Sequence, residues 1–116
     1  MKYLIILNDA PYGTERSYNG LRIARSLLKT GDAEVKMFLI GDAVACAKNG
    51  QKVPQGHYNV GDMLGMIVGN GGDVGVCGSC LDERGIATDE LIEGAPRSTM
   101  DQLTAWTQSA DKIIVF

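Results

Sequence analysis

The chain has 116 residues, of which 45% are hydrophobic and 22% are charged, and this composition is typical of a globular protein. Its length predicts a single domain over residues 1–116. A net charge of -3 without any run of lysine or arginine argues against direct nucleic acid binding. The longest uncharged apolar stretch, Met63 to Val68, is far shorter than the roughly 20 residues of a membrane span, so we expect no membrane association.

The first residues of the chain and the number of its cysteines indicate the cellular compartment. The apolar run after Met1 meets Asn8 and Asp9 too early to form the apolar region of a signal peptide. Three cysteines, an odd number, argue against the disulfide framework of a secreted protein. We therefore expect a cytoplasmic protein whose cysteines serve either chemistry or the core.

The first part of the chain alternates strand and helix patterns. Lys2 to Leu7 is a continuous apolar run rich in branched residues, which is typical of a strand buried on both faces. The next helix is predicted to begin with Thr14 as its cap and to end at Gly31, because apolar residues recur three and four apart between them. A second buried strand is predicted over Val35 to Ile40, and Asp42 is expected to cap a short helix.

A loop and another helix follow. Gln51 to Tyr58 contains proline and glycine and shows no periodicity, so it is predicted to be a loop. Asn59 is expected to cap a helix with an apolar stripe from Val60 to Val68. A third strand is predicted from Asp73 to Cys77.

The last third of the chain predicts a further helix and strand. Ser98 matches the first position of a capping box that opens a helix, and Lys112 to Phe116 is predicted to be the final strand. A fifth strand could lie around Ile86 and Ala87, although the residue pattern does not show one. Strands separated by helices, with connections too long for hairpins, predict a three-layer α/β fold with a mainly parallel sheet of about five strands flanked by helices.

Two cysteines lie where the third strand meets a helix. The carboxyl ends of parallel strands share one edge of a sheet, so Cys77 should lie near the loop that begins at Asn8 and the turn at Gly41. The spacing of three places the sulfurs of Cys77 and Cys80 on one side of a helical turn, within reach of a disulfide. Ser79 is expected to cap this turn, so that free backbone N–H groups favour the Cys77 thiolate.

The other candidate residues are a glycine beside Cys77, a third cysteine, a histidine and a glycine-rich segment. Gly78 should leave the approach to the Cys77 sulfur open, and Cys46 is expected in the core. Structural zinc is disfavoured because Cys46 and His57 lack the spacing of zinc ligands. NAD is disfavoured because the glycines of Gly69 to Gly72 precede a strand instead of following one. No cofactor and no metal are predicted.

The loop from Gln51 to Tyr58 leaves several interpretations open. His57, the only histidine, is either a solvated loop residue or a proton carrier. Tyr12 and Tyr58 could contact a ligand or a neighbouring subunit. The loop itself is a candidate to pack near Cys77 of its own subunit or of a neighbour.

The chain resembles the DsrE/DsrF-like family along essentially its whole length, and within it the small YchN-type proteins. The segments that carry the resemblance are Asn8–Gly13, Gly41–Val44, Gly50–Lys52, Cys77–Ile86 and Trp106–Lys112. The resemblance implies a flavodoxin-like or Rossmann-like sheet assembled into homotrimers or homohexamers. It also implies that Cys77 holds the place at which relatives in sulfur oxidation and tRNA thiolation carry sulfur as a persulfide, whereas Cys80 has no counterpart in single-cysteine carriers.

The residues and the resemblance together suggest three functions. The first is a sulfurtransferase-like sulfur relay, in which Cys77 takes sulfur from a persulfide donor protein and passes it to a thiol acceptor protein. The second is a thiol-disulfide oxidoreductase, in which Cys77 attacks and Cys80 resolves, although Val76 stands where thioredoxin-like proteins usually have an aromatic residue. The third is a non-catalytic oligomeric binding module with incidental cysteines. A homo-oligomer is expected because the apolar helix from Val60 to Val68 is broad for a surface element.

Overall fold

The chain forms five strands and four α-helices, and the computed structural model describes all 116 residues. In chain order they are β1 (Lys2–Leu7), α1 (Arg16–Lys29), β2 (Glu34–Leu39), α2 (Val60–Gly69), β3 (Asp73–Cys77), α3 (Gly78–Glu83), β4 (Arg97–Ser98), α4 (Met100–Ser109) and β5 (Lys112–Val115). Two short 3₁₀ segments span Gly41–Ala47 and Thr88–Glu90. None of the helices has the length and apolar character needed to cross a membrane.

The sheet has the strand order β4-β3-β2-β1-β5, and every pairing is parallel. Helices cover both of its faces. Gly20 of α1 lies against Leu7 on one face, whereas Trp106 of α4 meets Phe38 edge-to-face on the other face, 6.2 Å between ring centroids. The predicted α/β layered fold with a parallel sheet is therefore confirmed.

Burial on both faces explains the continuous apolar runs of the central strands. Leu4 and Ile5 are neighbours in β1 and point to opposite faces, yet both are completely buried. Phe38 and Leu39 of β2 repeat this arrangement. The middle of the sheet thus forms the core and holds the carboxyl strand ends in fixed positions.

The fifth strand lies elsewhere than the sequence suggested. It is not at Ile86 and Ala87 but at Arg97–Ser98, which pairs with the end of β3. This strand has only two residues, and neither is apolar or β-branched, so it carries no hydrophobic pattern. Its pairing places Ser98 opposite Cys77 and so brings the start of α4 to the cysteine edge.

One predicted helix cap is confirmed, and another is wrong by one residue. Asn59 caps α2, since its side chain accepts a hydrogen bond from the Asp62 backbone N–H at 3.0 Å. The cap of α4 is Thr99, not Ser98, and it accepts from the Gln102 N–H at 3.1 Å. Ser98 is part of the sheet instead, which moves the helix start by one residue.

Two other caps are wrong because their side chains bind elsewhere. Thr14 donates to the carboxylate of Asp9 at 3.0 Å, and α1 begins at Arg16 without a side-chain cap. Asp42 does not cap its 3₁₀ segment but accepts hydrogen bonds from Arg84. Asp42 therefore forms a long-range ion pair instead of the predicted local cap.

The apolar stripe of α2 packs inside the chain. Val60, Leu64 and Ile67 are buried, Met63 and Val68 are half-buried, and Met66 is 42% exposed, so the chain itself covers much of this stripe. The most exposed apolar side chains of the sheet are on the edge strand β5, where Ile113 is 43% and Val115 is 62% exposed. The uncovered apolar surface of the sheet is therefore at its β5 edge.

Candidate functional site

The two cysteines of the predicted site are adjacent. Cys77 is the last residue of β3 and the N-cap residue of α3, and it is 8% exposed. Cys80 lies one turn later, with its sulfur 2.6 Å from the Cys77 sulfur. Both are free thiols. The prediction that both sulfurs lie on one side of a helical turn is confirmed.

Hydrogen bonds converge on the Cys77 sulfur. The S–H of Cys80 is directed at it, and the Ser79 hydroxyl lies 3.4 Å away. Burial opposes the charge on the thiolate, but these two side chains and the backbone N–H groups of Ser79 and Cys80 outweigh it and lower the pKa of Cys77. Ser79 acts from inside α3 and not as its cap, which corrects the predicted role of this residue.

Cys80 is in a different state. Burial and the hydrogen bond to Cys77 raise the pKa of Cys80, while the backbone N–H of Gly41, 3.2 Å from its sulfur, acts in the opposite direction. Of the two thiols, Cys77 is therefore the one that loses its proton more readily. The contact with Gly41 confirms that the turn after β2 meets the cysteines at one edge of the sheet.

Two ion pairs frame the cysteines. Arg84 donates to one carboxylate oxygen of Asp42 from Nη2 at 2.8 Å and from Nε at 3.1 Å, and to the Cys80 carbonyl at 3.0 Å. Arg97 forms a two-pronged pair with Asp82, with both distances 2.8 Å. The hydrogen bond from Arg97 lowers the pKa of Asp82. The first pair fixes α3 to the turn after β2, and the second fixes it to β4.

A cavity of about 270 Å³ opens beside Cys77. Besides Cys77 it is lined by side chains and backbone from β2, α3, β4 and the start of α4: Phe38, Gly78, Ser79, Arg97, Ser98, Thr99 and Met100. The space over Gly78 is not open, in contrast to the sequence-based expectation. A Cβ atom on this glycine would lie 2.7 Å from Nε of Arg97, so the guanidinium takes up the place of a side chain.

Sequence reasoning missed Arg97 and Phe38 as residues of the site. Arg97 belongs to the two-residue strand, which has no recognisable pattern, and Phe38 looked like an ordinary core residue of β2. Its place in the site depends on strand pairing, which the sequence does not show. The register pairs it with Gly75, two residues before Cys77, so both side-chain positions share the cysteine face of the sheet.

The other candidate residues lie away from this site. Cys46 is fully buried, as predicted, and burial raises its pKa to about 12. Tyr58 stacks on Tyr18 with 4.0 Å between ring centroids, and the hydroxyl of Tyr12 donates to Gln51 at 2.6 Å. Within one protomer the Gln51–Tyr58 loop therefore packs against α1, and no residue of it lines the cavity beside Cys77.

The loop and Tyr12 enclose a second cavity of about 370 Å³, which includes His57. His57 is exposed at its rim. Nowhere in the structure do three or more His, Cys, Asp or Glu side chains come together as a metal site would require.

Comparison with known proteins identifies relatives of the whole chain. A model of the DsrE/DsrF-like family matches residues 1–116. The chain belongs to this family. Protein YchN of Escherichia coli K12 is 40% identical over 116 residues, which cover 99% of this chain and 98% of YchN. The uncharacterized protein MJ0989 of Methanocaldococcus jannaschii is 39% identical over the full length of both chains.

Solved structures agree with the fold. The crystal structure of YchN from E. coli superposes with a TM-score of 0.93 and covers 99% of this chain and 98% of that one. Protein MTH1491 of Methanobacterium thermoautotrophicum has a TM-score of 0.77 at 14% identity, covering 99% of this chain and 97% of its own, and so shares the fold. The family is linked to sulfur relay, which agrees with a cysteine of lowered pKa at the edge of the sheet.

Proposed function

We propose that the protein carries sulfur as a persulfide on Cys77. The Cys77 thiolate attacks the outer sulfur of a donor persulfide, and the donor's S–S bond breaks with its electron pair on the inner sulfur, which leaves as a thiolate. Cys77 then holds the outer sulfur until the thiolate of an acceptor attacks it. This second transfer regenerates the Cys77 thiolate, so the complete relay needs no net oxidant or reductant.

The observation that carries this proposal is the environment of the Cys77 sulfur. Its hydrogen-bond donors favour the thiolate, which is the nucleophilic form of cysteine. The adjoining cavity of about 270 Å³ offers room for an added sulfur atom beside it. Membership of a family linked to sulfur relay supports the same chemistry.

Mass spectrometry after treatment with one equivalent of cysteine persulfide tests the proposal. We expect the intact protein to gain one sulfur atom, mapped to the peptide that contains Cys77. Cys77→Ser should remove the gain, whereas Cys46→Ala should leave it unchanged, because Cys46 is fully buried. An equal gain of sulfur in the Cys77→Ser variant would refute the assignment.

A second candidate function rests on the sulfur-sulfur distance of 2.6 Å. Two thiols this close can form a disulfide with little movement, so a thiol-disulfide oxidoreductase using Cys77 and Cys80 is the alternative. Titration against dithiol redox buffers separates the two functions. A disulfide that forms and reduces reversibly without any uptake of sulfur would favour the oxidoreductase.

We also propose that the chain assembles as a homo-oligomer, a trimer or a hexamer, and meets its donor and acceptor proteins in that form. The exposed Ile113 and Val115 on β5 support this, since a second subunit would bury them. Light scattering over a dilution series measures the mass. The 12.4 kDa of a monomer at every concentration would refute the oligomer.

A further inference from the structure

We propose that Cys80 resolves the Cys77 persulfide and releases its outer sulfur as hydrosulfide. This inference rests on the proposed sulfur loading of Cys77 and adds a second outcome to it. Transfer to an acceptor protein would then be one of two outcomes for a loaded Cys77. It would also discharge free hydrosulfide into the cavity beside it, at a rate set by Cys80.

The positions of the groups around Cys77 favour this reaction. The Cys80 sulfur lies 2.6 Å from the Cys77 sulfur and contacts the turn at Gly41. Cys80 is not among the residues that line the cavity, whereas Cys77 is. The cavity therefore offers room for an added sulfur on a side of Cys77 that Cys80 does not occupy. Displacement at sulfur needs the nucleophile and the leaving group on opposite sides of the attacked atom, and an added sulfur that extends into the cavity meets this requirement.

Loading of Cys77 also changes the charge that acts on Cys80. In the resting site, burial, the hydrogen bond to Cys77 and the negative charge of its thiolate all raise the pKa of Cys80. Once Cys77 carries a second sulfur, its inner sulfur has no charge, so only burial still raises the pKa of Cys80 from that side. The Gly41 N–H and the positive charge of Arg84, which favour the Cys80 thiolate, remain. Persulfide formation thus activates the resolving thiol.

The reaction balances as follows. The Cys80 thiolate attacks the inner sulfur of the protonated Cys77 persulfide, and a Cys77–Cys80 disulfide bond forms. The bond between the inner and outer sulfur breaks, and the outer sulfur leaves with the electron pair and its own proton as hydrosulfide. The outer sulfur is reduced, and the two cysteine sulfurs are oxidised to the disulfide. A dithiol reductant then supplies two electrons and two protons to restore both thiols.

The experiment compares the wild-type protein with Cys80→Ser, which retains an O–H donor toward Cys77 but cannot form the disulfide. Each protein receives one equivalent of cysteine persulfide and is desalted, and released hydrosulfide is trapped with a bimane reagent while intact mass is recorded. We expect the wild type first to gain one sulfur atom and then to release about one hydrosulfide per loaded chain, which leaves it two hydrogens lighter than its reduced form. Cys80→Ser should keep its added sulfur and release hydrosulfide at least tenfold more slowly.

Controls separate this inference from the loading of Cys77 itself. Cys46→Ala also removes one cysteine and should behave as the wild type, and Cys80→Ala repeats the test if the serine variant folds poorly by circular dichroism. A persulfide as long-lived in the wild type as in Cys80→Ser would overturn the inference while leaving sulfur loading intact. Failure of both Cys80 variants to gain sulfur would overturn the proposed function, and this inference with it.

Discussion

The hydrogen bond from Cys80 to Cys77 predicts that two substitutions at one position will differ in a defined way. Cys80→Ala removes both the thiol and the donor, whereas Cys80→Ser removes the thiol but keeps a donor O–H. Neither variant can resolve a disulfide, so any difference between them reports on the Cys77 thiolate alone. We expect the alanine variant to have the higher pKa at Cys77, because the bond from Cys80 is the largest favourable contribution to that thiolate.

The magnitude follows from the strength of a hydrogen bond to a charged group. Such a bond contributes about 1.5–3 kcal/mol, and its loss reduces the thiolate population about 10- to 100-fold at a pH below the pKa of both proteins. A more basic thiolate is also more nucleophilic, with a Brønsted slope of about 0.4–0.5, so each ionised Cys77 in the alanine variant reacts roughly three- to eightfold faster. At low pH the alanine variant should therefore react about three- to twelvefold more slowly than the serine variant.

The sign of the difference reverses at high pH. There Cys77 is fully ionised in both variants, so only intrinsic nucleophilicity remains, and the alanine variant should react roughly three- to eightfold faster. The assay is the initial rate of exchange with a small disulfide reagent between low and high pH, with the modified peptide identified by mass spectrometry. Rate profiles that coincide for the two variants, or that never cross, would refute the role assigned to the Cys80 donor.

Three further predictions concern positions outside this bond. Burial raises the pKa of Cys46 from 9.0 to about 12, so the Cys46 thiol ionises in the unfolded chain at a lower pH than in the folded chain. The free energy of unfolding should therefore fall as the pH rises between these values, and denaturant titrations should show a shallower fall in Cys46→Ala. An equal fall with pH in both proteins would contradict this. Gly78→Ala should displace the Arg97 guanidinium, which lines the cavity beside Cys77, and so slow sulfur loading of Cys77. Its Tm should change little, because alanine adds helix propensity of about 1 kcal/mol. Loading at the wild-type rate would show that the position of the Arg97 guanidinium does not affect loading. Gly94→Ala should lower the free energy of unfolding by roughly 1–3 kcal/mol, because its φ is +85° and its new methyl group would meet a valine of α2. Gly56→Ala has a similar φ in open space and should cost less, so equal costs would exclude the clash as the cause.

The parts of the fold that the sequence predicted correctly are those with a long apolar pattern. β1 and β2 are buried on both faces and therefore show continuous apolar runs, and α2 has both an apolar stripe and a polar cap at Asn59. The two-residue strand at Arg97–Ser98 has no such pattern. Its position depends on pairing with β3, which lies distant in the sequence, so local residue types could not reveal it.

The candidate site could likewise be predicted from the sequence only in part. Cys77 and Cys80 are close because they are three residues apart on one helical turn, and this spacing was visible in the sequence. The partners of the surrounding charges were not. Arg84 binds Asp42 across 42 positions, and Arg97 binds Asp82 across 15. Ion pairs of this kind are set by how the sheet places its strand ends, so they became visible only with the fold.

This dependence on the sheet explains how the separation of the two sulfurs is controlled. Cys77 is held by β3, while the Cys80 sulfur accepts a hydrogen bond from Gly41, in the turn that follows β2. Arg84 adds a second connection between α3 and that turn through Asp42. Because β2 and β3 are paired in a fixed parallel register, the two anchoring points cannot slide past each other. The distance over which Cys80 can donate to Cys77, or attack it, is thus determined by the core of the sheet as well as by the short helix that carries both residues.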